Sequence, residues 1–499
     1  MISRKETLAQ LQEQTFDLLV IGSGAMRAGI ALDGATRSLR TALIEKQDFT
    51  FGTSSRSTKL IHGGLRYFKQ LEVGLVREVG LERAIVHRNV PHLVIPEKML
   101  LPLNEGGQYG RFMTAIGLAV CDLLARVAKS DSRRMLGKKA TLEKEPLLDA
   151  NRLKGGGWNA EYRTDDARLT ISLIRTAAEA LASCANYVSA ESFEKSDNQF
   201  TGVIARDGLI DKTFSIRAKQ SVNATGPRVD QLREKYGSRS RKGLYLTKWP
   251  HLVVDREKLP IRQSIYFDVM DDRMIAVISR GNNSNICTTD NGFDENISHP
   301  KTSTADVICL IDTVNAFFSD ITLTLADIQS TRAGLRQLIQ DEGKPRSELS
   351  RKDEIFESPE GLISVAGGKF TDYRKMAERV VNRMIKRLPE HSQECTSASI
   401  FLVGGPFQDA AEVETFVEAI AQWLHAFGIA NPKLAAILVY RCGRDLNHIQ
   451  GHAEQQRDHA GAGEEKLEHT LLRAEICFGV NHEMVQCASD FCVRCTGRL

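Results

Sequence analysis

The sequence lacks long apolar runs, long runs of one charge sign and internal repeats. No stretch reaches the roughly 20 consecutive apolar residues that a membrane-spanning helix needs. The first apolar segment, residues 16–22, is also too short for a signal peptide. A formal net charge of +3 on 499 residues is too small to indicate nucleic-acid binding. We therefore expect a cytoplasmic protein, with peripheral attachment to a membrane left open because it would produce no such signal.

The cysteines do not indicate a disulfide framework. Ten cysteines in a long chain without a secretion signal are typical of reduced thiols. Cys487, Cys492 and Cys495 have C-x4-C-x2-C spacing, with Cys477 upstream, and this arrangement can ligate an iron–sulfur cluster. Buried thiols are the favoured interpretation, and no metal site is predicted.

The stretch FDLLVIGSGAMRAGIALDGA and the residues after it predict a strand, a tight turn, a helix and a second strand between positions 16 and 46. Gly22 and Gly24 would let the backbone approach a pyrophosphate at the helix N-terminus. Glu45 lies 21 positions after Gly24, where an acid would bind ribose hydroxyls. Arg27 replaces the third glycine of the motif. The pattern predicts a dinucleotide site, and a ligand-free βαβ unit is the alternative.

The rest of the chain alternates between strand and helix patterns. Helices are predicted at 70–90, at 111–137 and over most of the chain from 405 onwards. The runs SIYFDV, MIAVIS and SNICTT suit an antiparallel sheet. LISVAGG has the pattern of a buried strand, and TDYRKMAERVVNRMIKRL that of a helix after it. At this length we expect two to four domains.

Residues 51–70, FGTSSRSTKLIHGGLRYFKQ, combine five hydroxyl residues, four cations and a Gly-Gly pair. This composition has no purpose in a packed core, although a solvated basic loop is an alternative. His62 and Arg66 are four positions apart, so in a helix they would share one face. That placement suits a base and an anion anchor in one pocket.

These segments resemble the FAD-dependent glycerol-3-phosphate dehydrogenases, which are aerobic and quinone-linked, and their oxidase relatives. The family motif is close to GTSSRSTKLVHGGLRYLKQ. The resemblance continues through EVGLERAIV, EYRTDDARLT, VNATGP, SELSRKDEIF and SVAGGKFTDYRKMAERVV, and it covers residues 16–385.

The resemblance implies an α/β fold (α+β overall), with a glutathione-reductase-like FAD-binding Rossmann domain, an antiparallel substrate domain and a helical C-terminal domain. The oxidoreductase region would span 16–385. Its FAD-binding segments would be about 16–90, 150–245 and 350–385, and its substrate segments about 91–149 and 246–349. The helical domain would span 400–499 and be incomplete relative to the family.

The resemblance also implies a reaction, in which sn-glycerol 3-phosphate is oxidised at C2 to dihydroxyacetone phosphate, with FAD as hydride acceptor and a membrane quinone as the next acceptor. The implied cofactor-binding residues are Gly22, Gly24, Glu45, Thr53, Ser54, Ser55, Ala224, Thr225, Gly226, Gly368 and Thr371. Arg66 and Arg336 would hold the phosphate. His62 and His251 would lie near the reacting hydroxyl, where a merely hydrogen-bonded role for His251 is equally open. Lys369 would stabilise negative charge on the reduced flavin. The implied location is the inner face of the cell membrane, and a homodimer is left open.

The chain departs from the family pattern at several positions besides Arg27. The family usually has glycine at Ser23, Trp249 and Cys287, tryptophan at Arg228 and Arg332, and proline at Gln337. Two alternatives therefore accompany the dehydrogenase: an oxidase that passes electrons to oxygen, and a catalytically impaired relic of the fold.

Overall fold

The computed structural model describes residues 3–61, 73–105, 133–197, 199–238, 242–269, 273–288, 291–341, 349, 353–388, 390–460 and 464–497. The predicted site residues His62 and Arg66 lie outside this part of the chain, as do residues 111–132. The described residues form two β-sheets and a helical C-terminal part.

The first sheet has a parallel centre, as the opening strand–turn–helix–strand pattern predicts. Its strands are β1 (Thr15–Ile21), β2 (Thr41–Ile44), β7 (Ser183–Ala185), β8 (Val188–Ser196), β9 (Gln199–Asp207), β10 (Lys212–Asn223), β17 (Glu354–Glu357) and β18 (Leu362–Ala366). Five strands run parallel in the order β18-β10-β1-β2-β7, while β17 and the β8–β9 hairpin add antiparallel pairs. The carboxyl ends of the parallel strands share one edge, where ligands bind in open α/β sheets.

Helices cover both faces of this sheet. They are α1 (Arg4–Glu13), α2 (Ala25–Thr36), α3 (Val73–Asn89), α5 (Asp166–Glu179), α6 (Val229–Tyr236) and α8 (Tyr373–Ile385). Ile30, Ile174 and Val380, from α2, α5 and α8, are buried in one core cluster against the sheet. A Cβ at Gly29 would lie only 3.0 Å from the Tyr373 ring, so a glycine at this position lets α2 and α8 pack closely.

The second sheet is antiparallel apart from one pairing. Its strands are β3 (Leu60–Ile61), β4 (Ile95–Asn104), β5 (Arg134–Gly137), β6 (Leu153–Arg163), β11 (Lys242–Asp255), β12 (Ser264–Asp268), β13 (Met274–Arg280), β14 (Asn283–Thr288), β15 (Asn291–Gly292) and β16 (Ile328–Asp341). Its order is β15-β11-β14-β13-β12-β4-β6-β3, with β16 on β11, β5 on β6, and β4 parallel to β12. Helix α7 (Thr304–Phe317) packs on it, and the rings of Phe267 and Phe317 stack at 3.6 Å. Helix α4 (Lys138–Lys144) follows β5.

The C-terminal part is helical, as predicted. It contains α9 (Ala410–Phe427), α10 (Pro432–Cys442), α11 (Leu446–Ala460), α12 (Glu464–Glu483) and a π-helix, Asp490–Cys495. Buried ion pairs join it to the first sheet's helices and loops. Arg168 donates to Glu483 at 2.7 Å, and Arg494 donates to Asp48 at 2.5 Å. Of the described helices, none combines the length and the apolar character that crossing a bilayer requires.

The predicted fold class is confirmed, and one local prediction is wrong. Residues 134–137 form strand β5 and not the end of a helix, because β5 pairs with β6 from Arg134 opposite Trp158 to Gly137 opposite Gly155. Pairing with a neighbouring strand here overrides the helical pattern of the sequence.

Candidate active site

The glycine turn after β1 brings two strand ends into close contact. Gly22 has φ +110°, and a Cβ there would lie 2.9 Å from the backbone oxygen of Ala224 at the end of β10. Both facts require glycine at this position. Gly24 then forms the N-cap of α2 without a side chain to cap it. Helix N-terminal amides and the positive end of the helix dipole therefore face the groove beside the turn.

The acid predicted to bind ribose lies at the end of β2 and is held by its neighbours. Oε2 of Glu45 accepts hydrogen bonds from the backbone N and the Oγ of Ser23, both at 2.9 Å. Oε1 accepts from the backbone N of Gln47 at 3.1 Å. Burial raises the pKa of Glu45, and these hydrogen bonds together with the nearby Arg27 oppose that rise. Ser23, which stands where the resemblance implies glycine, thus fixes the orientation of the carboxylate.

Arg27 lies across the groove instead of between helix and strand. Its Nε donates to the backbone oxygen of Ala224. A Cβ at Gly226 would lie 2.7 Å from Nη2 of Arg27, while Gly24 faces Nη1. Burial lowers the pKa of Arg27 to about 10, against the opposing effect of Glu45, so the group is still a cation at neutral pH. The guanidinium fills the space that these two glycines leave open.

A cavity of about 190 Å³, here called the glycine-turn cavity, follows the carboxyl edge of the first sheet. Eight predicted cofactor residues line it: Gly22, Gly24, Glu45, Thr53, Ser54, Ala224, Thr225 and Gly226. Sequence reasoning missed the contribution of Val188, Ser189 and Ala190 at the start of β8. Only the pairing of β7 beside β2 brings these residues close, and no local pattern signals that.

A second cavity of similar volume, here called the Arg336 cavity, adjoins the first. Arg27, Thr53 and Ser54 line both cavities. The other predicted residues that line the Arg336 cavity are Arg336, Gly368, Lys369 and Thr371. Residues separated by more than 300 positions in the sequence therefore surround one space.

The hydroxyl-rich turn is held by its own side chains. Thr53 Oγ1 donates to the backbone oxygen of Leu335 in β16 at 2.8 Å, which attaches the turn to the second sheet. Ser55 Oγ donates to the backbone oxygen of Thr50 at 2.9 Å. Ser55 lines neither of the two cavities and holds the turn from within.

Arg336 is supported by an aromatic ring. Its guanidinium lies 4.4 Å from the centroid of Trp249, which faces it from β11. Both side chains line the Arg336 cavity. A tryptophan face attracts a cation and restricts the plane of the guanidinium. Trp249, one of the departures from the family, therefore contributes to how this arginine is presented.

His251 lies behind this wall. It is fully buried and lines neither cavity. Its Nδ1 is 3.0 Å from the backbone oxygen of Trp249, so Nδ1 carries the proton, and Nε2 has no hydrogen-bond partner among the described residues. Burial, and then the charge of Arg332, lower the pKa of His251 to about 3. The imidazole is neutral across the physiological range and is a weak proton acceptor.

Two consecutive acids in the TDDARLT segment have different environments, and no site role was predicted for either. Asp165 caps α5 and accepts from Lys59 Nζ at 2.7 Å. Asp166 is 2% exposed, lines the Arg336 cavity, and its Oδ1 has no hydrogen-bond partner within the described ranges. A helix needs only one acidic residue at its N-cap, so the second aspartate of the Asp-Asp pair is the feature of the sequence that could have indicated a site residue.

The cysteines of the C-terminal part differ in burial, and the partly buried Cys492 packs against the same cluster as Cys495. Cys495 is buried with Phe491, and Cys487 is exposed. In the described part of the chain, the potential ligand atoms that converge belong to Asp17, Glu390 and His391. Lys219 already bridges the two carboxylates of that group, at 2.9 Å from Asp17 and 2.7 Å from Glu390.

The comparisons with known proteins agree with this geometry. Residues 17–369 match the family described as FAD dependent oxidoreductase. The chain is 44% identical over 502 residues to the aerobic glycerol-3-phosphate dehydrogenase of Bacillus subtilis (strain 168), covering 100% of this chain and 90% of that protein. Identity to the aerobic glycerol-3-phosphate dehydrogenase of Staphylococcus aureus (strain USA300) is 43%, with 99% and 89% covered.

Solved structures give the same assignment. The X-ray structure of the glycerol-3-phosphate dehydrogenase from Bacillus halodurans complexed with FAD matches with a TM-score of 0.83 at 39% identity, covering 99% of this chain and 88% of that one. The L-alpha-glycerophosphate oxidase of Mycoplasma pneumoniae with FAD bound has a TM-score of 0.62 at 14% identity, covers 77% and 97%, and supports the fold alone. The chain therefore belongs to the FAD-dependent oxidoreductases and, within them, to the aerobic glycerol-3-phosphate dehydrogenase family.

Proposed function

We propose that this protein oxidises sn-glycerol 3-phosphate at C2 to dihydroxyacetone phosphate, with FAD as hydride acceptor and a membrane quinone as the next electron acceptor. The observation that carries the proposal is the junction of the glycine-turn cavity with the Arg336 cavity. A dinucleotide groove there opens directly onto a space lined by three cations, Arg27, Arg336 and Lys369. The names of the relatives supply the substrate.

The residues of the groove fit FAD. Gly22 permits the close backbone approach, the N-terminus of α2 offers a positive dipole end, and Glu45 has the place of a ribose ligand. Arg27 adds a cation where two phosphates would need one, provided its guanidinium turns out of the space between Gly24 and Gly226. When bound, FAD supplies the two-electron acceptor. We further propose that the first sheet holds the cofactor and the second sheet the substrate, along the segment boundaries given above.

The phosphate of the substrate would bind Arg336. A dianion needs more than one cation, and an arginine offers two parallel donors that fix orientation. Arg336 is held in a defined plane by Trp249, and Lys369 faces the same cavity. Arg66 remains the predicted second phosphate ligand, outside the described residues.

Oxidation at C2 requires the C2 hydroxyl to lose its proton. His62 remains a predicted proton acceptor outside the described residues. His251, buried and with a pKa of about 3, suits support of the β11 wall better than proton transfer.

The experiment is an anaerobic reduction. The purified protein, reconstituted with FAD, should show the yellow flavin absorption bands, and sn-glycerol 3-phosphate should bleach them under argon while glycerol does not. Failure of the folded protein to bind FAD at any practical concentration would favour the relic. A flavin that binds but is not bleached would exclude the dehydrogenase and the oxidase together.

The next acceptor needs a separate measurement. Ubiquinone or menaquinone analogues should support turnover without hydrogen peroxide. Peroxide formed in proportion to the substrate consumed would instead assign the oxidase reaction. Peripheral membrane binding is part of the same proposal and rests on the quinone role and on the basic segment 126–139, of which Lys138 and Lys139 are exposed. Flotation with anionic vesicles at low and high salt tests it, and absence of binding at both salt concentrations would contradict it.

A further inference from the structure

Asp166 is the one carboxylate among the described residues that line the Arg336 cavity. It is the first residue of α5, and only 2% of it is exposed. Its Oδ1 has no hydrogen-bond partner in the described structure, although its surroundings are polar. A buried polar atom without a partner is rare in native structures, and in a cavity it indicates a ligand.

The helix does not need this second carboxylate. Asp165 already performs the capping, because it accepts hydrogen bonds from the backbone N of Ala167 at 3.0 Å and of Arg168 at 3.3 Å. Asp165 also forms the ion pair with Lys59, and although burial opposes its ionisation, Lys59 holds its pKa at about 2. Stability of α5 therefore explains Asp165 and leaves Asp166 for another role.

Charged and polar groups from several elements face Asp166. Burial raises its pKa to about 6, against Lys59 and Arg280, and Asp165 adds to the rise. The Ser57 hydroxyl hydrogen-bonds to the carboxylate and lowers the pKa. The positive charge of Arg332 also attracts the Asp166 carboxylate. Near neutral pH the carboxylate is ionised, yet its proton affinity is close to that of the medium, which suits a general base.

We propose that Asp166 accepts the proton of the substrate's C2 hydroxyl. The proposal rests on the function proposed above. In this step the substrate O–H bond breaks and its proton moves to Oδ1 of Asp166, while the C2 hydrogen leaves with its electron pair to FAD and the C2–O bond becomes a carbonyl. Asp166 then releases the proton to solvent. The other charged residues lining the cavity, Arg27, Arg336 and Lys369, are cations suited to binding the phosphate.

The test replaces Asp166 by asparagine in the FAD-loaded protein and follows anaerobic flavin bleaching by sn-glycerol 3-phosphate from pH 5 to 9. In the parent, the rate constant of bleaching should fall about tenfold per pH unit below about pH 6, because the base becomes protonated. In Asp166→Asn the rate constant should fall by about 100-fold or more, and the decline of the pH–rate profile below about pH 6, its acid limb, should disappear. The substrate concentration for half-maximal rate should stay within a few fold of the parental value. Asp409→Asn makes the same chemical change at the exposed N-cap of α9 and should leave rate and profile unchanged.

A second variant keeps the proposal testable if Asp166→Asn does not fold. Ser57→Ala removes the hydroxyl that stabilises the charged carboxylate, so the acid limb should move to higher pH. A purely structural role for Asp166 predicts no such movement. The titration of product, dihydroxyacetone phosphate, into each variant, followed by flavin absorbance, checks that the site is intact.

The outcomes separate the two proposals. A parent flavin that is never bleached overturns the proposed function and this step with it. A normal parent with Asp166→Asn bleaching at the parental rate overturns the proton-acceptor role alone. An acid limb unmoved in Ser57→Ala does the same where the asparagine variant cannot be purified.

Discussion

Replacing Arg27 by glycine should tighten FAD binding. In the structure the guanidinium of Arg27 lies between Gly24 and Gly226 and donates to the Ala224 backbone oxygen, at the junction of the two cavities. A dinucleotide that runs from one cavity to the other must pass this point. Binding to the parent therefore requires the side chain to leave its hydrogen bond and rotate away.

Two opposing effects set the magnitude. A hydrogen bond from a charged donor contributes about 1.5–3 kcal/mol net, and the parent loses it when FAD enters. The displaced cation regains about 1 kcal/mol by pairing with the pyrophosphate in a partly solvated groove. The difference, about 0.5–2 kcal/mol, corresponds to a Kd roughly 2- to 30-fold lower for Arg27→Gly. Loss of the hydrogen bond to Ala224 thus outweighs the attraction between the Arg27 charge and the pyrophosphate.

The assay titrates FAD into flavin-free parent, Arg27→Gly and Arg27→Met, and follows quenching of flavin fluorescence. Methionine keeps a long side chain but has neither the hydrogen bond to Ala224 nor the cation, so Arg27→Met should also bind FAD more tightly than the parent, though less tightly than Arg27→Gly because its side chain still occupies space in the groove. If the charge dominates instead, both variants will bind more weakly than the parent, and the parental Kd will rise steeply with salt. An Arg27→Gly variant that binds FAD no tighter than the parent would refute the conclusion that the Arg27 side chain opposes FAD binding.

Three further predictions concern other side chains. Arg336→Ala should raise KM for sn-glycerol 3-phosphate roughly 10- to 100-fold through loss of a charge-assisted phosphate contact. Arg336→Lys keeps the charge but not the fork geometry or the stack on Trp249, so its KM should be intermediate. Unchanged steady-state kinetics in both variants would contradict the phosphate assignment. Asp166 has a folded pKa of about 6, above its unfolded value, so it binds more protons when folded, and its ionisation destabilises the fold as pH rises from about 4 to 6. Urea unfolding should therefore show Asp166→Asn more stable than the parent by about 2–3 kcal/mol at pH 8 and by little at pH 4. An equal stability difference at both pH values would contradict this pH dependence. Arg494→Met should cost about 3–5 kcal/mol because Asp48 loses its buried partner, and the double variant with Asp48→Asn should recover part of the melting temperature; simple additivity would show that the pair is not coupled.

The first βαβ unit could be predicted because its signals are local. An apolar run, a glycine turn, a helix pattern and a second apolar run follow one another within residues 16–46, and the structure has β1, α2 and β2 where the pattern places them. Glu45 is the residue directly after β2, so its place at the end of that strand follows from the strand prediction alone. Residues whose position depends only on their own strand or turn are therefore found from sequence.

Residues that depend on distant pairing could not be found in this way. Asp166 faces the Arg336 cavity because α5 begins where β6 ends, and β16 forms the opposite wall only through its long antiparallel pairing with β11. Neither contact leaves a periodic signal in the sequence. The direction of the Arg27 side chain is a choice between rotamers that the first turn of a helix leaves open.

Most of the departures from the family pattern share one physical property, which is that the new polar side chain is hydrogen-bonded within the protein. Most of the added polar side chains have a protein partner: Ser23 bonds to Glu45, Arg228 donates to Ser298 at 3.0 Å, and Arg332 donates to the Ser57 backbone oxygen at 3.4 Å.

A buried charge without a partner would cost several kcal/mol, enough to endanger a fold that is stable by only about 5–15 kcal/mol. With these partners in place, the substitutions are compatible with folding. Their partners, however, are atoms of the cavity walls, so a ligand that needs the same donors and acceptors must displace them. We therefore expect the departures to act on ligand affinity and turnover before they act on stability.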